Sequence, residues 1–535
     1  MLGWITREVQ VVVRICRYCC KYIIWHSLGG GVGLIATRGQ QTEPEGTQTP
    51  YGEFHKALGL FDSVMIVAGI MVGSGIFIVS AEIARQVGSS GWLLVVWCIT
   101  GILTVSAALS YGELAAMMPH AGGMYVYLRE ALSPAVGFLY GWTLLTVIQT
   151  GTIAAVAIAF ARFSGVVFPA ISESRYLVSP MHVLPGYAVS LSTAQALAMA
   201  VILLIAVVNC YGVHWGKLIQ NVFTVAKLAG MVLLLCLGGY AFLRSPAVFR
   251  ANFADAWHPA PLVRLGHADV TTAFGMLVAV CVSQTGSLFS ADSWHNVTFV
   301  AGEVRNPKRN LPLALALGTL LVITLYLLCN LCYLAVLPLH AIQTAPSDRV
   351  ATLVVDRVLP GAGSIAMGVL IMISTFGTVN GITLAGGRAC YALAQDGLFF
   401  QAAGKLNRAG VPGWALILQC AWALMLVLPR TYDAATHAYG NLYSNLLDYV
   451  ISAALLFYIL TVFTVFRLRR TQPHAHRPYR CWGYPWLPGL YIAGASIVLA
   501  VLFCYRAATT WPGLLIVLSG VPVYWLLRRR KARVV

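Results

Sequence analysis

Twelve apolar segments follow one another along this chain, and nothing constrains its fold more. We read them at about 62–86, 91–117, 134–163, 189–211, 217–242, 271–300, 312–337, 359–395, 411–429, 440–466, 485–506 and 511–527. A bilayer-crossing helix needs roughly 18–20 apolar residues, and many windows here exceed that. The chain is 59% hydrophobic and only 10% charged, where a soluble protein carries about 25% charge. The expectation is an all-α integral membrane protein with twelve transmembrane helices.

An even number of spans puts both termini on one side, and charge says which. Basic residues hold loops on the cytoplasmic side. The strongest clusters, Arg467 to Arg480 and Arg528 to Arg533, both fall inside when the N-terminus is cytoplasmic. The formal charge of +17 therefore reads as a topology signal. No basic stretch interleaves with aromatics as a nucleic-acid surface does, so nucleic acid is not an expected partner. The lipid bilayer is.

Residues 1–58 read as a cytoplasmic extension, disordered or interfacial. The run from Val9 to Trp25 carries Arg14, Arg17 and Lys21, too much charge for a span. Cys16, Cys19 and Cys20 beside basic residues are candidates for acylation. The bland alternative is an upstream start codon. Gly39 to Gly52 reads as a linker. The longest external segment, about 243–270, holds Phe249, Phe253, Trp257 and His258 and reads as a lid or interfacial loop.

Gly73-Ser74-Gly75 interrupts the first span. Glycine and serine at that depth free backbone groups that lipid cannot satisfy, so the break must face protein, water or a ligand. The sixth span is interrupted too, by Ser283-Gln284-Thr285-Gly286-Ser287 and by Ser290-Ala291-Asp292-Ser293. An acidic residue so deep is a functional-site candidate. Otherwise, Asp292 faces a watery vestibule and bonds only backbone. Spans one and six correspond if spans 1–5 and 6–10 are inverted repeats, and paired breaks in matching positions mark a carrier site. The physics suits a zwitterion. Freed N–H groups at the start of a half-helix attract a carboxylate. Freed carbonyls at the end of the preceding half attract an ammonium.

Lys227 lies deep in the fifth span, three residues after Thr224 and on the same helix face. A lysine there is costly unless paired or snorkelling. Thirteen cysteines, most within apolar spans, read as small buried thiols, including the Cys329/Cys332 pair. No His, Asp and Ser set recurs at catalytic or metal-ligand spacing, and no cofactor or metal is expected.

Several ordered motifs resemble the L-type amino acid transporter family of the amino acid–polyamine–organocation superfamily, in its prokaryotic form. They are Gly69-Ile70-Met71-Val72-Gly73-Ser74-Gly75-Ile76-Phe77, Tyr111-Gly112-Glu113-Leu114, Gly122-Gly123-Met124-Tyr125, Phe138-Leu139-Tyr140-Gly141-Trp142, Asn306-Pro307-Lys308-Arg309-Asn310-Leu311-Pro312, Asn380-Gly381 with Gly387-Arg388, and Arg477-Pro478-Tyr479-Arg480 with Gly483-Tyr484-Pro485. The resemblance covers about residues 55–530. It implies five-plus-five inverted repeats (59–242 and 271–466) with broken helices 1 and 6. Two terminal helices and a basic tail (467–535) follow. It also implies alternating access and sodium-independent exchange of neutral L-amino acids in the cell (plasma or inner) membrane.

By the same resemblance, the backbone N–H groups of Gly73, Ser74 and Gly75 hold the substrate carboxylate. The carbonyls of Met71, Phe289 and Asp292 receive its ammonium. Phe289 is a gate; without the family it reads as packing. The Lys227 ammonium takes the place of a sodium ion, with Ser374 and Thr375 as partners. Trp294 and His295 are possible specificity residues, and His295 departs from the asparagine usual there. The loop from Glu303 to Pro312 is read as a cytoplasmic salt-bridge gate, or simply as a basic loop. Animal members join an ancillary subunit through an external cysteine; Ala161 to Ser192 contains none, so no disulfide-linked partner is expected. The alternatives left open are a cationic amino acid or polyamine carrier, proton coupling, and a transport-inactive receptor or scaffold.

Overall fold

The computed structural model describes residues 56–534, apart from 57, 121, 185, 211–212, 263–268, 408–409, 434–437 and 440–441. The expected extension lies almost wholly outside the described residues, including Cys16, Cys19 and Cys20. Its last part does not behave as an extension. Leu58 forms a parallel bridge with Val304: its N–H donates to the Glu303 carbonyl at 2.9 Å, and its carbonyl accepts from Arg305 N–H at 2.8 Å.

The first span is two helices, α1 (Leu60–Met71) and α2 (Gly75–Val87), bent by 43° at the Gly73-Ser74-Gly75 break. Then come α3 (Ser90–Met117), a short α4 (Met124–Ala131) and α5 (Pro134–Val167). A three-residue spacing from side-chain oxygen to backbone N–H sets the starts. Ser89 accepts from Trp92 N–H and Ser133 from Val136 N–H, with Pro134 at the first helical position, where its missing N–H costs nothing. A π-turn, Leu144–Ile148, widens α5 at mid-length. The chain continues with α6 (Thr193–Cys210), α7 (Val213–Arg244) and α8 (Ala247–Ala254).

The sixth span is again broken. α9 (Ala273–Ser290) ends at an unwound turn in which Ser293 has φ 68°, and short 3-10 segments, Trp294–Thr298 and Ala301–Glu303, complete the crossing. α10 (Pro307–Val336), the short α11 (Leu339–Gln343) and α12 (Val350–Val358), α13 (Ala362–Gln395), α14 (Gly413–Leu426), α15 (Leu442–Thr471), α16 (Trp486–Tyr505) and α17 (Ala507–Val534) follow. Among the described residues, ten helices are long and apolar enough to cross a membrane, and the bent α1–α2 pair makes an eleventh. The ninth expected span is only the 14-residue α14. At 1.5 Å per residue it reaches about 21 Å, short of the roughly 30 Å hydrocarbon core.

α14 stops early because its end is pinned. The Gln195 amide at the start of α6 donates to the Val427 carbonyl at 2.7 Å. The chain then turns into a small sheet, most of which sequence reading took for loop; residues 189–192 of it were read as the start of the fourth span, whose helix begins only at Thr193. β1 (Tyr176–Leu184) and β2 (Tyr187–Ser192) form a hairpin, β3 (Pro429–Asp433) pairs with β2, and β4 (Ala438–Tyr439) pairs with β3, all antiparallel. Pro185-Gly186 between two runs of β-branched and aromatic residues was the signal available for it. We call this end of the bundle the hairpin face and the Leu58–Val304 end the opposite face.

The segment read as a lid is strapped to the bundle. Asn252 on α8 donates to the Leu334 and Leu337 carbonyls and accepts from Leu339 N–H, while Ala260 and Leu262 bond the backbone at Gly88 and Arg85. The helices are not equally central. The apolar window of α5 is 94% buried, those of α16 and α17 only 28% and 22%. By this measure α5 and α9 lie innermost, and α16 and α17 lie on the outside.

Candidate functional site

Both breaks are buried, and they meet. α2 packs on α9, and Gly75 is where they touch. A Cβ built on Gly75 falls 2.8 Å from the Ser290 Cα, so only glycine lets the two backbones come this close. A Cβ on Gly73 comes no closer than 3.4 Å to the Thr378 side chain and 3.9 Å to the Met71 carbonyl, both ordinary contacts. Tyr326 of α10 ties the two broken ends together: its hydroxyl lies 2.8 Å from the Met71 carbonyl and 3.0 Å from the Ser290 carbonyl.

The helical ladder of α2 starts with Phe77 N–H to the Ser74 carbonyl. The amides of Ser74, Gly75 and Ile76 come before it and point out of the helix start, where the helix dipole is positive. The Ser74 hydroxyl lies 2.9 Å from the Tyr443 hydroxyl. Phe289 stands edge-on to the Tyr443 ring, with centroids 6.0 Å apart. Tyr443 thus touches both Ser74 and Phe289, and the Arg162 guanidinium lies over the Tyr443 ring.

The carbonyls expected to receive an ammonium are differently placed. Met71 does not present a free acceptor: its carbonyl takes the Gly73 N–H at 2.8 Å as well as Tyr326. The Phe289 carbonyl takes the Asp292 N–H at 3.2 Å and also the Ala291 N–H, which it shares with the Ser287 carbonyl. The Asp292 side chain neither faces open water nor bonds only backbone. Its Oδ1 accepts from the Tyr458 hydroxyl at 2.6 Å, and Tyr458 lies 3.3 Å from His295 Nδ1. Trp294 packs edge-on against Tyr111 at 4.7 Å and beside His295. Asp292, Trp294, Tyr458, Tyr491 and Thr104 line a small cavity behind the unwound turn, toward α3, α15 and α16. His295 Nε2 and the Asn296 amide are buried without a hydrogen-bond partner among the described residues.

Lys227 does not snorkel. It is 2% exposed, and its ammonium donates to the Gly69 carbonyl at 2.6 Å, the Val72 carbonyl at 2.8 Å and the Thr378 hydroxyl at 2.9 Å. Gly69 and Val72 are in the last turn of α1, where helix carbonyls run out of N–H partners. Ser374 lies beside it and donates to Val72 at 3.1 Å. Thr375 is not a partner; its hydroxyl bonds Ile371 within its own helix. The α13 ligand of the ammonium is Thr378, four residues after Ser374 and hence on the same face. That spacing was legible in the sequence. Tyr326, Tyr443 and Tyr458 were not, because a tyrosine in an apolar span carries no sign of where its hydroxyl points.

Ion pairs close both ends of the bundle. On the hairpin face, Arg162 holds Glu173 through Nε and Nη2 at 3.0 and 2.8 Å, and Arg85 pairs with Asp348 at 2.8 Å. On the opposite face, Glu303 pairs with Arg388 of α13 at 2.6 Å. The gate read within the 303–312 loop thus finds its cation outside that loop. Glu113, 1% exposed, takes Arg469 through both oxygens at 3.0 and 2.6 Å, and also takes the Cys481 N–H at 2.7 Å. Burial pushes the Cys481 thiol up to about 11, so it stays protonated there.

A polytopic helical bundle with two broken spans meeting at its centre, each with its loose backbone ends held by buried side chains, belongs to the class of membrane carriers. The chain is a member of the amino acid permease family, whose sequence profile matches residues 58–527. Among its relatives is the human b(0,+)-type amino acid transporter 1, 29% identical over 501 residues that cover 93% of each chain. The serine/threonine exchanger SteT of Bacillus subtilis (strain 168) is 27% identical over 482 residues, 89% of this chain and 98% of its own. The human cystine/glutamate transporter is 26% identical over 490 residues, 90% and 87%.

Proposed function

We propose that this protein exchanges neutral L-amino acids across the cell membrane by alternating access, without sodium. The observation that carries the reading is the junction of the two breaks, where Gly75 abuts Ser290 and Tyr326 spans Met71 and Ser290. In this reading the substrate carboxylate sits on the N–H groups of Ser74 and Gly75, with Gly73 beside them. The α-ammonium sits on the carbonyls of Phe289 and Asp292, and enters the shell of Met71 only if Tyr326 swings away. Neither half of the zwitterion needs a buried counter-charge, which spares the desolvation cost of one. Phe289 with Tyr443 forms the gate on the hairpin side. Trp294 and His295 lie next to the ammonium end and border the side-chain subsite.

Lys227 supports the absence of sodium. Two carbonyls and a hydroxyl around one cation are the oxygen set a metal ion takes, and here an ammonium fills it permanently. The same reading places the hairpin face outside and both termini in the cytoplasm. It also makes spans 1–10 two inverted repeats, counts α14 as the ninth of twelve spans, and requires no disulfide-linked subunit. The relatives named above are transporters and exchangers, which favours exchange over one-way flux.

The test is purified protein in proteoliposomes, loaded or not with unlabelled substrate and presented with a panel of radiolabelled amino acids. We expect uptake only into loaded vesicles, unchanged when choline replaces sodium. Equal uptake with and without internal substrate would overturn exchange, and uptake that needs sodium would overturn the role given to Lys227.

A further inference from the structure

A cavity of about 490 Å³ lies on the hairpin face. That is within the range of about 300–1,000 Å³ common to small-molecule sites. The end of α5 supplies Arg162 to its wall, and the segment before β1 supplies Glu173. The turn before α12 supplies Asp348 and Arg349, and β3 and β4 supply Arg430 and Tyr439. None of these residues holds the zwitterion in the reading above.

Positive charge is in excess here. Arg162 donates to the Glu173 carboxylate at 2.8 Å and lies 3.6 Å from Asp348, and Arg85 of α2 pairs with Asp348 at 2.8 Å. Both carboxylates of the wall are thereby taken. Two further guanidiniums line the cavity without a close carboxylate among the described residues. Arg349 donates to the Pro346 carbonyl, at 3.4 Å. Burial, and then the Arg162 charge beside it, hold the Arg349 guanidinium below its ordinary value. Arg430 gives Nη1 to the Glu173 carbonyl at 3.2 Å and to the Tyr176 hydroxyl at 2.6 Å. It stands 3.9 Å from the Glu173 carboxylate, beyond hydrogen-bond distance, and its buried Nε has no partner among the described residues. A purely structural strut would set Arg430 bidentate on a carboxylate, as Arg469 is set on Glu113. The Tyr176 and Tyr439 rings flank the Arg430 guanidinium, at 5.7 and 5.8 Å, and hold it in place.

We propose that this cavity binds a small organic dianion, one carboxylate on Arg349 and one on Arg430, and that the bound anion slows opening of the hairpin face. Such a ligand supplies the counter-charge that the wall lacks and ties the turn before α12 to β3. Arg162 couples the cavity to the substrate site, because it lines the one and lies over Tyr443, which bonds Ser74 in the other. Binding stands on the cavity alone; the effect on opening rests on the carrier reading.

Purified full-length protein is melted with sodium succinate, with sodium phosphate and with sodium chloride at equal ionic strength. We expect saturating succinate to raise the unfolding midpoint by about 2 °C or more, and chloride to leave it unchanged. Arg349→Gln and Arg430→Gln should each remove the rise. Arg349 makes a single weak hydrogen bond, so its variant tests the site even if the other fails to fold. In proteoliposomes, succinate presented from the hairpin face is expected to slow leucine exchange about twofold or more, and to have no effect on Arg349→Gln. No rise, a rise shared equally by chloride, or one that survives Arg349→Gln would overturn the site. Phosphate acting where succinate does not would overturn the assignment to a carboxylate ligand. Stabilisation that leaves leucine exchange at its full rate would overturn the link to opening. A rise that Arg349→Gln removes, in a protein that exchanges no amino acid, supports the site and counts against the carrier reading instead.

Discussion

Lys227 is the residue on which the break depends. Its ammonium fills the coordination of two carbonyls that α1 leaves open when it stops at Met71. Lys227→Met leaves the Gly69 carbonyl buried and without its donor, at about 1–3 kcal/mol, while Val72 keeps the Ser374 and Thr378 hydroxyls. We expect exchange to be abolished and the midpoint of thermal unfolding, followed by tryptophan fluorescence, to fall. Thr378→Val is expected to cost about 1–2 kcal/mol in the same assay, Thr378→Ser much less, and Thr375→Val little, because Thr375 only bonds its own helix. Asp292 gives a second ordering. Among the described residues no ion pair reaches it, and Tyr458 is its hydroxyl donor. Asp292→Asn keeps an acceptor for Tyr458 and removes a buried charge. Tyr458→Phe leaves the charge and removes the donor. We therefore expect Tyr458→Phe to be the more destabilising of the two by about 1–3 kcal/mol, measured by the same melting curves.

At the scale of elements, the contact of α2 with α9 sets the site. Because a Cβ at position 75 meets the Ser290 backbone while one at 73 makes only ordinary contacts, Gly75→Ala should push the helices apart, whereas Gly73→Ala should not. We expect Gly75→Ala to lose exchange with every substrate and to lower the melting temperature, and Gly73→Ala to fold like the wild type. The sequence announced that both glycines matter but attached them equally to the ligand. Only packing separates one that admits a neighbouring helix from one beside the lysine clamp. The sheet on the hairpin face makes a similar point. Its strands lie some 240 residues apart in sequence, β2 against β3, so local pattern signals the hairpin but not the third strand.

For the whole molecule, the two closed faces are the elements an alternating carrier must break in turn. Glu303–Arg388 joins the loop after span six to α13, and Leu58 adds backbone bonds from the other broken span. The first ties the sixth span to α13 at the opposite face, and the second ties the two broken spans to each other there. Glu303→Gln is expected to favour opening there. A cysteine introduced at Ser74 should then react faster with a maleimide presented from that face; an unchanged rate in oriented vesicles counts against the gate. Glu113 behaves as structure. It is buried and bidentate, so Glu113→Gln should lower stability by about 3–5 kcal/mol by leaving Arg469 unpaired.

The chain's apolar pattern alone determined that it is a helical membrane protein, where most of its spans run, and that spans one and six are broken; the ninth expected span is the short α14. Lipid leaves no other way to satisfy a backbone, so hydropathy and the position of Gly73-Ser74-Gly75 are sufficient. The same logic marked Asp292 and Lys227 as residues that need partners. Which partners they have was decided only by the tertiary structure. Lys227 meets Thr378 rather than Thr375, Asp292 meets Tyr458, Glu303 meets Arg388, and Met71 is already filled by Tyr326. Glu82 and Asp448 carried no mark, because near a span's end a carboxylate is cheap and says nothing until the helices bring two of them to one arginine, Arg506. Burial cost is a property of a residue and its depth, and the sequence carries it; hydrogen-bond partnership is a property of two chain segments at 3 Å, and only the fold supplies that distance.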